Sequence, residues 1–251
     1  MLSQTQTLNY LKNQYVFRIF CNIFTMISEY FITLKKYMVH YTPYTIKDEV
    51  IYFDFETTGL NPYHNKIIEY CFLIEDDDES QISDIIDPEE KIEKKITDIT
   101  GIHPDMFENK QNINNHIMTI YNFINGTYKN SIFRTDKKYL VAHNANGFDS
   151  IFLERELSKA KLINKNITTK NFVYVDTLLL ARKLLPELKS HSLSSLAKHF
   201  KVNEGTHRAT SDVLCLRNIY INLLKELGNN YNLPYTYYSE YPQEVVNYYS
   251  F

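Results

Sequence analysis

The sequence predicts an α/β fold in which a mixed sheet, three antiparallel strands extended by parallel ones, carries helices on its faces. Two features support that expectation. Between Val50 and Ile86 three short apolar or alternating runs are separated by turn-forming residues, and after Pro88 helical periodicity alternates with single strand-like runs. Strands followed by alternating helix and strand build one sheet covered by helices. At 251 residues and 44% hydrophobic, the chain can bury one core of ordinary size. The expected organisation is a helical extension over 1–47, a principal domain over 48–228 and a Tyr-rich tail over 229–251.

The elements follow in order. Residues 1–47 read as helical, with an aromatic and aliphatic stretch from Tyr15 to Leu34 broken by Arg18, Asn22 and Glu29. The uncharged part, Ile19 to Ser28, falls short of the ~20 apolar residues a membrane-spanning helix needs, so no transmembrane segment is expected. Val50–Phe55, Lys66–Ile74 and Gln81–Ile86 form an antiparallel meander, with the acidic run Glu75–Glu79 at a hairpin tip. Helices are expected over Ile92–Ile99 and Asn114–Ile124, and a fourth strand near Tyr139–Ala142. Helix Phe148–Leu162, strand Phe172–Val175 and helix Thr177–Leu184 follow, the last closed by Pro186. A short helix beginning at Ser192 or Ser194 runs to Phe200. The last long helix spans about His207 to Leu227 with Gly228 as its stop. The tail, with Pro234 and Pro242 and little periodicity, reads as irregular.

Composition narrows the function. Three widely spaced cysteines, Cys21, Cys71 and Cys215, lack zinc-site pairing and disulfide density. They imply a reducing intracellular setting, whether cytoplasm, nucleus or a viral factory. The first 28 residues contain no acid, which keeps an organelle address open for the N-terminal segment. Net charge is −3; five cations against Glu29 give residues 1–47 a charge of +4 and leave −7 for the remainder. An acidic domain does not draw nucleic acid by counterion release alone. It does so where bound divalent cations invert the local potential.

The chemistry begins at Asp54-Phe55-Glu56-Thr57-Thr58-Gly59-Leu60. Residues two apart on a strand share a face, so Asp54 and Glu56 converge. Adjacent carboxylates repel unless a proton or cation lies between them. Their hard oxygens select Mg²⁺ or Mn²⁺ over zinc. Thr57, Thr58 and Gly59 offer hydroxyls and approachable backbone where a terminal nucleotide could lie. In HNANGFD, Asp149 opens a helix whose positive end favours a carboxylate, and His143 and Asn144 hold the preceding turn. In HRATSD, His207 and Asp212 stand five apart, so a helix starting between them turns Asp212 inward and leaves His207 on its lead-in. An imidazole with an ordinary pKa near ~6.5 accepts a proton at neutral pH. Asp176, beside Thr177 at the start of an apolar helix, is best explained as a capping acid.

Taken together, DFETTG, HNANGFD, YVDTLLLAR and HRATSD resemble the successive motifs of the DnaQ-like, DEDDh-type exonuclease family. The resemblance runs from about Val50 to Leu227. It implies a ribonuclease H-like fold with two divalent ions, Mg²⁺ or Mn²⁺. It also implies 3′→5′ hydrolysis of phosphodiesters that releases nucleoside 5′-monophosphates. On this resemblance Asp54 lies between both ions, Glu56 and Asp212 hold the first, Asp149 stands close through water, and His207 is the general base. HNANGFD carries one residue more between Asn144 and Phe148 than the commonest form, like the longer version in TREX-type members. Leu60 matches the position where related enzymes set an apolar side chain against the terminal base, and Thr57, Thr58, Gly59 and Asn144 complete the substrate-binding candidates. The implied partner is a nucleic acid with a free 3′ end, single-stranded DNA favoured over RNA. An RNA-trimming relative and an idle nucleic-acid-binding module are the rival readings. The motifs name no protein partner.

Overall fold

The computed structural model describes residues 46–75, 80–126 and 132–250. The expected helical extension up to residue 45 and the hairpin tip at Asp76–Glu79 lie outside the described residues. By compactness the chain divides into Met1–Ile46 with Asn130–Ile132, and Lys47–Lys129 with Phe133–Phe251.

The sheet has five strands in the order β3-β2-β1-β4-β5: β1 (Ile46–Thr57), β2 (Ile67–Ile74), β3 (Gln81–Ile85), β4 (Ile132–Ala142) and β5 (Phe172–Asp176). The first three pair antiparallel, Phe53 opposite Phe72 and Cys71 opposite Ser83. β4 and β5 run parallel, Leu140 opposite Tyr174, because the connection between them contains a helix long enough to cross back. This is the mixed sheet the sequence predicts.

Among the described residues the α-helices are α1 (Lys94–Thr100), α2 (Ile113–Asn125), α3 (Asp149–Ile163), α4 (Thr177–Leu184), α5 (Leu193–Phe200), α6 (Ala209–Tyr231), α7 (Tyr235–Glu240) and α8 (Pro242–Ser250). Alternation along β1 sorts them into two layers. Ile51, Phe53 and Phe55 pack with Ile117 and Ile120 of α2 and Phe152 and Leu153 of α3. Val50 and Tyr52 on the opposite face pack with Leu180 of α4, Leu196 of α5 and Val213, Leu216 and Ile219 of α6. Tyr52 meets Tyr220 of α6 edge to face at 5.9 Å between centroids. Fully burying each such side chain stabilises the fold by roughly 1.5–3 kcal/mol. It also fixes α6 over the face that continues into Asp54 and Glu56.

Two expectations are corrected. α6 does not stop at Gly228 but runs to Tyr231 and ends on Asn232, which takes the left-handed conformation at φ 54°. Gly228 is required for another reason. A Cβ there would come within 2.4 Å of the Leu233 carbonyl oxygen, where the chain folds back. The stretch after residue 231 is not irregular, since Tyr238 of α7 and Val245 of α8 are buried in the same core as α6. Pro234 and Pro242, which look like breakers, are starters: Pro234 caps α7 and Pro242 is the first residue of α8, where a missing N–H costs nothing. No helix among the described residues is long and apolar enough to cross a membrane.

Candidate active site

β1 delivers its acids toward the N-terminal turn of α6. Asp54 and Glu56 continue the face of Val50 and Tyr52 past the core, so each is half-buried. A register shift between Glu56 and Thr57 marks a bulge, a device that re-aims side chains beside sites.

α6 brings the second group. Its first turn carries Asp212, whose residue is 8% exposed, and His207 lies exposed just before it. Ligand-capable atoms of Glu56, His207 and Asp212 lie within 4.8 Å of one another. The lead-in is held tightly. The Thr206 amide donates to Ser211 Oγ at 2.9 Å, and Ser211 Oγ donates to the Arg208 carbonyl at 3.0 Å. His207 takes a left-handed φ of 54°, a conformation that costs a non-glycine residue roughly 1–2 kcal/mol. Gly205 passes so close that a Cβ would lie 1.9 Å from Asp212 Oδ1.

α3 supplies Asp149 at its N-terminus, 2% exposed. The Phe55 amide donates to its Oδ1 at 3.2 Å, which ties HNANGFD to β1. Asn144 is exposed at φ 65°, starting the 3-10 turn Ala145–Gly147. Asp176 caps α4 through the amides of Leu178 and Leu179, as expected. Its other oxygen accepts from the Asn146 amide at 3.0 Å, so the cap also holds the turn that carries Asp149. His143 Nδ1 lies 3.0 Å from Thr177 Oγ1. Burial pushes His143 down to about 4, partly offset by Asp176. This histidine is a neutral brace for the turn.

The electrostatics are those of acids crowded out of water. Burial first, then Asp149, Glu56, Asp212 and Glu69, hold the Asp54 carboxyl well above the usual carboxylate range. Glu56 is pushed up to about 8, by burial and then by Asp212, Glu69 and Asp149, against a lowering pull from Arg208. Burial also raises Asp149 to about 8, opposed by the Phe55 amide. Asp212 is raised by burial and eased by His207 and the Ser211 hydroxyl. Hard oxygens in mutual repulsion beside one imidazole suit a divalent cation of the Mg²⁺ or Mn²⁺ kind.

The neighbouring candidates separate. The Thr57 hydroxyl donates to the Gly59 carbonyl at 2.7 Å and the Thr58 hydroxyl to Glu90 at 3.0 Å. Both threonines are buried, so they shape the loop after β1 and do not present free hydroxyls. Asn65 fills the space beside Gly59, where a Cβ would meet its amide at 2.8 Å. Leu60 stands 83% exposed on this loop. Arg155 of α3 braces the loop by donating to the Pro62 and Asn65 carbonyls.

Glu69 and Arg208 are missing from the sequence reading. Glu69 is the only charged residue of the strand IIEYCFLI, directly opposite Glu56 in the register. A charge inside an apolar strand was the available signal. Gly205, two residues before His207, carried a weaker one.

The chain is similar in sequence and fold to known proteins. Residues 51–220 match the family model RNase_T, described as exonuclease. The PolC-type DNA polymerase III of Clostridium perfringens is 36% identical over 168 residues, covering 66% of this chain and 10% of the polymerase. The PolC-type enzyme of Halalkalibacterium halodurans is 32% identical over 184 residues, covering 72% and 12%. The chain thus spans about a tenth of the length of these relatives. Among solved structures, E. coli Exonuclease I in complex with a dA16 oligonucleotide superposes with a TM-score of 0.56 at 18% identity, covering 71% of this chain and 41% of that one. Exonuclease X in complex with 5′-overhanging duplex DNA gives 0.50 at 22%, covering 71% and 93%.

Proposed function

Since the chain belongs to the exonuclease family, the DnaQ-like 3′→5′ exonucleases with a ribonuclease H-like fold, we propose that it hydrolyses phosphodiester bonds at 3′ ends. Nucleoside 5′-monophosphates are released, from single-stranded DNA in preference to RNA. The observation that carries the reading is the meeting of Glu56, His207 and Asp212 within 4.8 Å, beside Asp54 and Asp149. Four carboxylates from β1, α3 and α6 share one patch and resist ionisation together.

Asp54, Glu56 and Asp212, with Asp149 close by, are the residues that would hold the metal. When bound there, Mg²⁺ or Mn²⁺ would supply positive charge that offsets their repulsion and would lend Lewis-acid stabilisation to the attacked phosphate and the leaving oxygen. The protein's own part is placement. A ring nitrogen of His207 takes the proton of the attacking water, and its exposure leaves it free to pass that proton to solvent. The Phe55 amide keeps Asp149 aligned with the strand that carries Asp54. Leu60, exposed on the loop after β1, offers an apolar face to the terminal base. Asn144 stands exposed at the lip of the same turn as Asp149, within the proposed path of the strand.

DNA is favoured because the relatives are DNA polymerases and the superposed Exonuclease I holds dA16. Single strands are favoured because a paired end must first unpair, which costs a few kcal/mol. The test uses 5′-labelled DNA and RNA oligomers of one sequence with Mg²⁺, with EDTA, and with Asp212→Ala. A stepwise ladder with Mg²⁺, faster on DNA and absent in the other two conditions, is the expected result. Ladders that persist with EDTA and Asp212→Ala overturn the assignment.

A further inference from the structure

Glu69 is a buried carboxylate that the proposed chemistry does not use. Glu69 lies opposite Glu56 across the β1–β2 ladder, and like charges in that relation repel. It is 5% exposed, yet it is fully partnered. Arg208 Nε reaches both its oxygens at 3.1 Å, Arg208 Nη2 reaches Oε1 at 2.6 Å, and the Ala209 amide donates to Oε2 at 2.9 Å. Both oxygens of Glu69 are thus committed to Arg208 and the Ala209 amide.

What it holds is the start of α6. Arg208 is the N-cap residue of that helix and makes no side-chain cap of its own. Glu69 takes that place from a different strand, accepting the first helical amide where a local Ser or Asp ordinarily would. The bonds attach at residues 208 and 209, between His207 and Asp212. On the other side of His207, Gly205 presses against Asp212. His207, in its left-handed conformation, is therefore clamped from both sides, and the clamp is anchored on the cross-strand neighbour of Glu56.

We propose that Glu69 is a positioning residue, which through its fork with Arg208 and its bond to the Ala209 amide sets the distance of His207 and Asp212 from Glu56. This deepens the exonuclease reading of the site and rests on it. The electrostatics agree, since Arg208 is the cation that lowers Glu56 against the surrounding acids. Partners behind the ligands of a metal site orient them in this way, and a misplacement near 1 Å costs about 100-fold in rate.

The test uses the full chain, a 5′-labelled single-stranded DNA and Mg²⁺, with kcat and KM measured separately. Glu69→Ala is expected to lower kcat on the order of 100-fold with KM within about threefold. Glu69→Gln, which keeps an acceptor for the Ala209 amide, recovers part of the loss. Arg208→Lys keeps the charge but not the fork and falls about tenfold. Mn²⁺ calorimetry gives a reading apart from turnover, and Glu69→Ala binds the ion several-fold more weakly. Lys138→Met is the control, because it breaks the buried Lys138–Glu49 pair, seven residues and roughly 23 Å along β1 from Glu56. It lowers the melting temperature while kcat stays within about twofold of wild type and the Mn²⁺ affinity is unchanged.

Wild-type kcat and Mn²⁺ affinity in Glu69→Ala, or equal kcat losses in Glu69→Ala and Lys138→Met, overturn the inference. Should Glu69→Ala not fold, Arg208→Lys is judged by the same criteria. Asp212→Ala separates the two levels. If it is inactive while Glu69→Ala keeps wild-type kcat, only the positioning role falls; if it cleaves normally, the exonuclease site falls and the inference with it.

Discussion

Gly205 and Asp212 touch so closely that position 205 tolerates no side chain: a Cβ there would lie 1.9 Å from Asp212 Oδ1. Gly205→Ala must displace that carboxylate or the lead-in that carries His207. The expected result is a fall in kcat on the order of 100-fold, with a stability loss of about 1–3 kcal/mol from overpacking. Kinetics and thermal melts of one preparation measure both. Wild-type kcat would mean that Asp212 can move without consequence.

The raised acids give a pH dependence opposite to that of ordinary carboxylates. Glu56 and Asp149 are each pushed to about 8 in the folded chain, from ordinary values of 4.5 and 3.8. Between those limits the folded state binds more protons than the unfolded one, so stability falls as pH rises. The metal-free protein should melt at a higher temperature at pH 5 than at pH 8. Mn²⁺ at pH 8 should raise the melting temperature, and less so in Glu56→Gln. A metal-free melting temperature that rises from pH 5 to 8 would contradict the crowding described for the site.

Leu60 offers a test of substrate contact without a stability effect. It is 83% exposed, so Leu60→Ala removes little buried area and should leave the melting temperature unchanged within about a degree. KM for a single-stranded oligonucleotide should rise several-fold if the side chain packs on the terminal base. An unchanged KM removes Leu60 from the substrate path.

The hydroxyl of Tyr249 ties α8 to β5. Tyr249 accepts from the Asp176 amide at 3.0 Å and lies 3.4 Å from the Tyr174 carbonyl. Tyr249→Phe should cost about 1 kcal/mol, seen as a lower denaturant midpoint, with kcat within about twofold. A large loss of activity would show that α8 acts on the turn carrying Asp149 through Asp176.

Much of this was legible in the sequence, for physical reasons. The face of β1 that carries Asp54 and Glu56 follows from the two-residue strand period, and Asp176 beside an apolar helix reads as the cap it is. Ser192 likewise caps α5, its hydroxyl accepting from the Ser195 amide. What escaped depends on partners far away in the chain. Glu69 and Arg208 are 139 positions apart, and neither has a local pattern that announces the pair. The tail was misread because Tyr is apolar in α7 and α8 yet counts as neither in a periodicity, and because a proline that starts a helix looks like one that ends it. The need for Gly228 likewise comes from a chain reversal at Leu233 that no local spacing predicts.

The account is tested most directly by the products from matched linear and circular single-stranded DNA, resolved by chromatography with Mg²⁺ and with EDTA. It predicts nucleoside 5′-monophosphates from the linear strand with Mg²⁺, none with EDTA, and an intact circle throughout. Cleavage of the circle, or mononucleotide release in the presence of EDTA, would contradict it.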